Sequence, residues 1–265
     1  MPSGQNNTGS LIRFNSMAGW IGGNIPRRRG GASAFSPSDV PGLSAWYDGS
    51  LAATMFTTSA GSTNVSANGD RVGRWEDRSG NARNALQATA DNRGTYVTGA
   101  LNGLSVVRFD GVSDFLQTAA FTAIPQPTTI FIVCKYTNQV AQFMCDGIVD
   151  GPERQFIMVN NAGNNMVRIG TDGAFFEPFA TIYDTYQLIA AEYNVASSQA
   201  WQNGGTAQAG TVANEPLSGI TLAARLSGTF IGNCDIAEYL LYSAELSAAN
   251  FTAVRNYLNA KWVLF

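Results

Sequence analysis

Thr129-Ile130-Phe131-Ile132-Val133-Cys134-Lys135-Tyr136 decides the class of this chain. Large apolar and β-branched residues fill both its odd and its even positions. Successive side chains of a strand point to opposite faces, so such a run reads as a strand covered on both sides. Upstream, Ser105-Val106-Val107-Arg108-Phe109 alternates apolar with polar residues before Asp110-Gly111, a strand followed by a turn. Downstream, residues 155–159, 166–169, 186–193, 199–202, 229–232 and 236–242 are further strand candidates. Thr171-Asp172-Gly173 and Asn203-Gly204-Gly205 punctuate them, the second as a hairpin. There is no βαβ alternation, short-period repeat or heptad, and an all-β class follows.

One helix is expected, at the C-terminal end. Ser247 can cap a run in which Phe251, Val254, Leu258 and Trp262 recur at spacings of three and four and share one face. Asn250 stands where a capping box would place Glu. With 265 residues, 45% hydrophobic and only 13% charged, the chain has material for one large core beneath a sparsely charged surface. Such a surface suits a packed assembly or a glycan-facing module.

Residues 1–38 differ from the rest. They hold seven glycines and four arginines and no acidic residue, a net charge of +4, which leaves 12 basic and 19 acidic side chains, net −7, for residues 39–265. Leu11, Ile12, Phe14, Met17, Trp20, Ile21 and Ile25 are more apolar bulk than a solvated linker needs. The expectation is an extended arm over 1–38 that orders on a partner, with Phe14 and Trp20 entering grooves and Arg13, Arg27, Arg28 and Arg29 meeting carboxylates or phosphates. Packing of the arm on its own domain, or a merely mobile tail, is the alternative. The opposite charges of arm and domain allow head-to-tail self-association.

Three stretches resemble the laminin-G-like, concanavalin A-like jelly-roll domains of bacterial and phage proteins. They are Pro41-Gly42-Leu43-Ser44-Ala45-Trp46-Tyr47-Asp48; Val72 through Trp75-Glu76-Asp77-Arg78-Ser79-Gly80-Asn81, with Val107-Arg108-Phe109-Asp110-Gly111 after it; and Ile236-Ala237-Glu238-Tyr239-Leu240-Leu241-Tyr242 with Tyr257-Leu258-Asn259-Ala260-Lys261-Trp262. The resemblance covers residues 40–265. It implies a two-sheet antiparallel β-sandwich, a jelly roll, over residues 39–265, with one C-terminal helix and the extended N-terminal arm outside it. It leaves function open, because such sandwiches serve as lectins, adhesion modules, glycanases and spacers. Trp75-Glu76-Asp77-Arg78-Ser79-Gly80 is expected to form a turn in which Asp77 and Arg78 bond loop backbone, and Trp46 and Trp262 to pack in the core.

Site chemistry is sparse. The chain has no histidine, which removes the usual near-neutral acid/base, the usual triad base and the commonest zinc ligand. No Gly-x-Ser-x-Gly elbow, phosphate loop or Glu-x-Asp-x-Glu strand occurs, and Asp235 and Glu238 sit in a structural stretch. Cys134, Cys145 and Cys234 are odd in number and widely spaced, and are expected as reduced core residues. The expectation is therefore a protein that is not an enzyme. Trp201, Gln202 and Asn203 at a hairpin tip, with Tyr183 and Asp184, are candidates for glycan contact, an aromatic face beside amide and carboxylate groups. Asp110, Ser113 and Asp114 offer oxygens for calcium, which the resemblance makes plausible. No other cofactor is expected. No basic stripe marks nucleic-acid binding, and no apolar run is long enough for a membrane span.

The start lacks a signal-peptide pattern, so synthesis in a host cytoplasm is expected. The function expected is that of a bacteriophage virion structural protein, a capsid decoration protein anchored by its arm on capsid or tail proteins of the same virion. The alternative is a glycan-binding adhesion module, from a tail fibre or a bacterial lectin.

Overall fold

The run 128–136 and the run 233–242 are neighbours at the centre of one sheet, and both are buried on both faces for different reasons. One parity of each, including Ile130, Ile132, Tyr239 and Leu241, meets a second sheet. The other, including Phe131, Val133, Leu240 and Tyr242, is roofed by the C-terminal helix α1, Ala248–Trp262. The both-sided apolar pattern is thus the mark of a strand inside three layers.

The computed structural model describes residues 35–137, 141–159, 163–226 and 228–265. Among them are two nine-stranded sheets, every pair within them antiparallel. The first sheet runs, edge to edge, through Gln208–Gly210, Ser198–Gln202, Gln187–Tyr193, Thr128–Tyr136, Asn233–Tyr242, Leu104–Asp110, Gly94–Leu101 and Arg71–Val72, with Leu43–Asp48 also pairing Asn233–Tyr242. The second runs through Phe175–Ala180, Met166–Thr171, Gln155–Val159, Gln142–Asp146, Thr221–Leu222, Leu116–Gln117, Ala85–Leu86, Arg74–Trp75 and Met55–Phe56. The expected two-sheet sandwich with one C-terminal helix is the observed fold. No described helix is long and apolar enough to cross a membrane.

α1 starts where expected. The Ser247 hydroxyl accepts from the Asn250 amide at 3.3 Å, and Phe251, Val254, Leu258 and Trp262 form its buried face. A buried polar hub fixes its far end. Glu238 accepts from the indoles of Trp46 and Trp262, each at 2.7 Å, and from Lys261 Nζ at 2.8 Å. Lys261 also donates to Asp48 at 2.6 Å, so one ammonium serves two buried carboxylates. Burial, then the Asp48 charge, push Glu238 up, against Lys261.

Asp77 behaves as expected, its carboxylate accepting from the backbone amides of Trp46, Ser79 and Arg83 at 2.8–3.0 Å. Arg78 does not: its guanidinium lies 3.7 Å from the Trp46 ring centroid and donates to Asp48 at 2.9 Å, so its side chain serves the hub. Trp75 is fully buried in the core, and all three cysteines are buried and free. Phe35 to Ser38, the last residues of the expected arm, are described: Phe35 packs on Tyr257 at 6.0 Å between ring centroids, and the Tyr242 hydroxyl donates to the Pro37 carbonyl. Arg13, Phe14, Trp20, Arg27, Arg28 and Arg29 lie outside the described residues.

Candidate functional site

Strand periodicity builds the site. In Gln187–Tyr193, Ile189, Ala191 and Tyr193 point between the sheets, so Leu188, Ala190 and Glu192 point to the helix-covered face. In the paired strand, Ala190 faces Trp201 and Glu192 faces Gln199. Past the edge of α1 this face opens as a cleft of about 340 Å³. Trp201 stacks against Phe251 at 4.3 Å between centroids to form an apolar wall. Glu192, Gln199, Glu245 and Arg255 supply its polar lining.

The electrostatics of this cleft are unusual for the molecule. Glu192 is buried, and the Asn194 amide that bonds it also donates to Glu245 at 3.1 Å. Burial first, then repulsion from Glu245, push the Glu192 carboxyl up to about 7, with Asn194 pulling the other way. Among the described residues, neither carboxylate nor Arg255 enters an ion pair. An aromatic wall beside unpaired acids, amides and a guanidinium can hold a polar ring by stacking and directional hydrogen bonds.

Of the expected glycan residues, Trp201 alone lines this cleft. Gln202 donates to Gln187 at 2.6 Å, and Asn203, in the left-handed region at φ +53°, exchanges hydrogen bonds with the Leu188 backbone. Both close the hairpin. Tyr183 stands edge-on to Tyr136 and donates to Asn165 at 2.8 Å. Asp184 lines a different cavity, with Arg108, Lys135 and Asp235. The structure therefore separates Tyr183 and Asp184 from Trp201.

The donor set for calcium falls short. Asp110 Oδ1 accepts from three backbone amides, those of Val112, Ser113 and Asp114, at 2.8–3.1 Å. Asp114 lies against Arg71, which supplies the local positive charge, and the Ser113 hydroxyl donates to the Asp91 carbonyl. Calcium takes six to eight oxygens, and among the described residues no group of three acidic, His or Cys side chains could hold a metal ion.

No known protein family and no curated protein matches the sequence. Solved structures match the fold. Trypanosoma rangeli sialidase in complex with sialic acid aligns with a TM-score of 0.55 at 14% identity, over 84% of this chain and 33% of that one. A GH54 α-L-arabinofuranosidase soaked with a cyclic sulfate inhibitor aligns at 0.60 and 13%, over 85% of this chain and 64% of that one. An arabinofuranosidase complexed with arabinofuranosyl-α-1,2-xylobiose gives 0.53 and 13%, over 72% and 51%. The chain thus spans about a third of the sialidase, and at these identities the likeness is one of fold, a β-sandwich. It corrects one expectation: glycosidases share this fold, so the expectation that the chain is not an enzyme does not stand. That expectation leaned on the missing histidine and on the missing Glu-x-Asp-x-Glu strand, whereas the two carboxylates that glycoside hydrolysis needs can come from separate elements. Glu192 and Glu245, distant in sequence, meet in one cleft.

Proposed function

We propose that the sandwich is a carbohydrate-binding domain of the laminin-G-like, concanavalin A-like lectin kind, and that a saccharide ring stacks on Trp201 in the Glu192–Glu245 cleft. The observation that carries this reading is the Trp201 wall beside two carboxylates and a guanidinium with no ion-pair partner among the described residues. A polar group kept unpaired and desolvated costs stability, and a ligand's hydroxyls would satisfy it. Titration of a panel of neutral oligosaccharides, followed by NMR amide shifts, tests it. Saturable shifts at residues 190–201 and 245–255, lost in Trp201→Ala, are expected; shifts elsewhere, or none with any saccharide, would overturn it.

A second reading, glycoside hydrolysis at the same cleft, is favoured by the Glu192 carboxyl near 7, able to donate a proton, with Glu245 as a second carboxyl beside it. Turnover of aryl glycosides, lost in Glu192→Gln, tests it.

The setting we propose is a bacteriophage virion, with the domain decorating a capsid through residues 1–38; a tail fibre or bacterial lectin is the alternative. Support comes from the sequence: the basic, acid-free arm and the sparsely charged surface. Limited proteolysis at Arg13 and Arg27–Arg29, compared between free protein and particle, tests it. Sites open in the free protein and protected in the particle are expected; equal cleavage in both would refute anchoring.

A further inference from the structure

The outer face of the second sheet, the face turned away from the core, carries a second cleft of about 300 Å³. Phe143, Phe156 and Met158 form its buried floor. Phe175 and Phe230 stand at its rim, 50% and 48% exposed, among the most exposed large apolar side chains described. Three guanidiniums converge on it, each against a phenyl ring: Arg168 lies 3.6 Å from the Phe175 centroid, Arg154 5.0 Å from Phe156, and Arg225 6.0 Å from Phe230.

The sequence takes trouble to build this cleft. Gly170 lets two of its rings close, because a Cβ there would lie 2.6 Å from Phe175 Cβ and 2.7 Å from Phe156 Cζ. The segment that delivers Arg225 and Phe230 holds Ala223, Leu226 and Phe230 in the left-handed region, at φ +63°, +49° and +47°. Bulky residues rarely adopt it, and such strain persists only where the surroundings enforce it. Here Asp146 does so: it grips Arg154 with two hydrogen bonds of 2.9–3.0 Å and accepts from the Leu226 amide at 3.2 Å, tying the strained segment to the floor.

We propose that this cleft binds an acidic saccharide, a sugar ring bearing a carboxylate, with the ring packed between Phe175 and Phe230 and the carboxylate on Arg225 and Arg154. Arg168 is held by Glu177 at 2.7 Å and Arg154 by the buried Asp146, which leaves Arg225 the most open of the three to a ligand anion. Arg225 now pairs with Asp150, which is 68% exposed on its side chain, and the outer nitrogen of Arg154 pairs with Asp172, 42% exposed. The Arg225–Asp150 pair is the exposed one, and such pairs contribute little, so a ligand carboxylate can displace Asp150 at small cost, while Arg154 offers the one nitrogen that Asp172 now holds. Guanidinium recognises carboxylate with paired hydrogen bonds, and the phenyl faces take the apolar face of the ring. This site is separate from the Trp201 cleft and does not depend on it.

Calorimetric titration of the full chain with trigalacturonic acid, its methyl ester and the neutral trigalactoside tests the proposal. Saturable binding of the acid alone is expected, weakened about tenfold or more by Arg225→Gln and by Phe230→Ala. Raising sodium chloride from about 50 mM to about 500 mM should weaken it too. Arg225 is half-buried and Phe230 exposed, and an unchanged thermal transition shows that both variants fold. Equal binding of the methyl ester, insensitivity to Arg225→Gln, or no binding of the acid would overturn the proposal. Binding of the neutral sugar that survives Arg225→Gln and fails in Trp201→Ala belongs to the other cleft.

Discussion

Replacing Glu192 by Gln should stabilise the protein, by an amount that grows above about pH 4.5 and is complete above about pH 7. Burial and Glu245 raise the carboxyl from the ordinary 4.5 to about 7. The sign follows from which state holds the proton more tightly. Below about pH 4.5 both folded and unfolded chains keep the carboxyl protonated, and the group is neutral in its effect. Between about 4.5 and 7 the unfolded chain releases its proton while the folded one retains it, so stability falls as pH rises. Above about 7 the folded chain bears the full penalty, at 1.36 kcal/mol per unit about 3 kcal/mol, and about 1–3 after allowance for water reaching the cleft. Gln removes the charge and keeps the shape. Urea denaturation followed by tryptophan fluorescence should show no gain at about pH 4 and a gain of about 1–3 kcal/mol at about pH 8, or about 2–4 °C in Tm per kcal/mol for a domain of this size. Glu245→Gln should give part of the same gain by removing the repulsion. A gain independent of pH, or a loss at pH 8, would refute the reasoning. If the gain is found, the wild-type chain carries an acid that costs it stability, the usual mark of a residue retained for binding or chemistry.

Lys261→Met should cost about 3–5 kcal/mol in the same denaturation, because it strands the buried Glu238 without a cation and leaves Asp48 with Arg78 alone; a loss under about 1 kcal/mol would show the hub to be wetter than described. Arg78→Ala should cost about 1–2 kcal/mol through the lost Trp46 stack and Asp48 bond. Gly170→Ala should cost about 1–3 kcal/mol and shift the Phe156 and Phe175 ring resonances, whereas an Ala without effect would mean that these rings are free to move apart. Burial raises all three thiols, so a disulfide reagent should find none reactive in the native protein and all of them in denaturant.

The sandwich was legible where local pattern is enough. Residues 129–136 and 236–242 announce strands buried on both faces, and the 251–254–258–262 spacing announces the helix that buries one of those faces. The two-residue strands were not legible. Met55–Phe56, Arg71–Val72, Arg74–Trp75, Ala85–Leu86, Leu116–Gln117 and Thr221–Leu222 are strands because of the neighbours they pair with, and nothing in a dipeptide carries that information. Arg78 shows the same limit on a smaller scale. A turn motif suggests backbone bonding for it, but Trp46 and the buried Asp48 lie closer to its guanidinium and hold it instead.

Trp201 could be picked out because an aromatic residue beside a hairpin turn is conspicuous in one stretch of chain. Its partners could not, since Glu192 ends a buried strand and Glu245 precedes the helix cap, and each reads alone as a solvated acid. The same holds for the second cleft, whose phenyl rings and guanidiniums come from five separate segments. Chemistry built from single residues on many elements leaves no motif, which is why the missing histidine and the missing Glu-x-Asp-x-Glu strand weighed too heavily. Carboxylates and guanidiniums act according to burial and neighbours, and the fold supplies both: it desolvates Glu192 beside Glu245 on one sheet and gathers Arg154, Arg168 and Arg225 over phenyl rings on the other. Trp201→Ala and Arg225→Gln therefore separate the two faces, and a saccharide that loses affinity in one variant but not the other identifies the sheet that binds it.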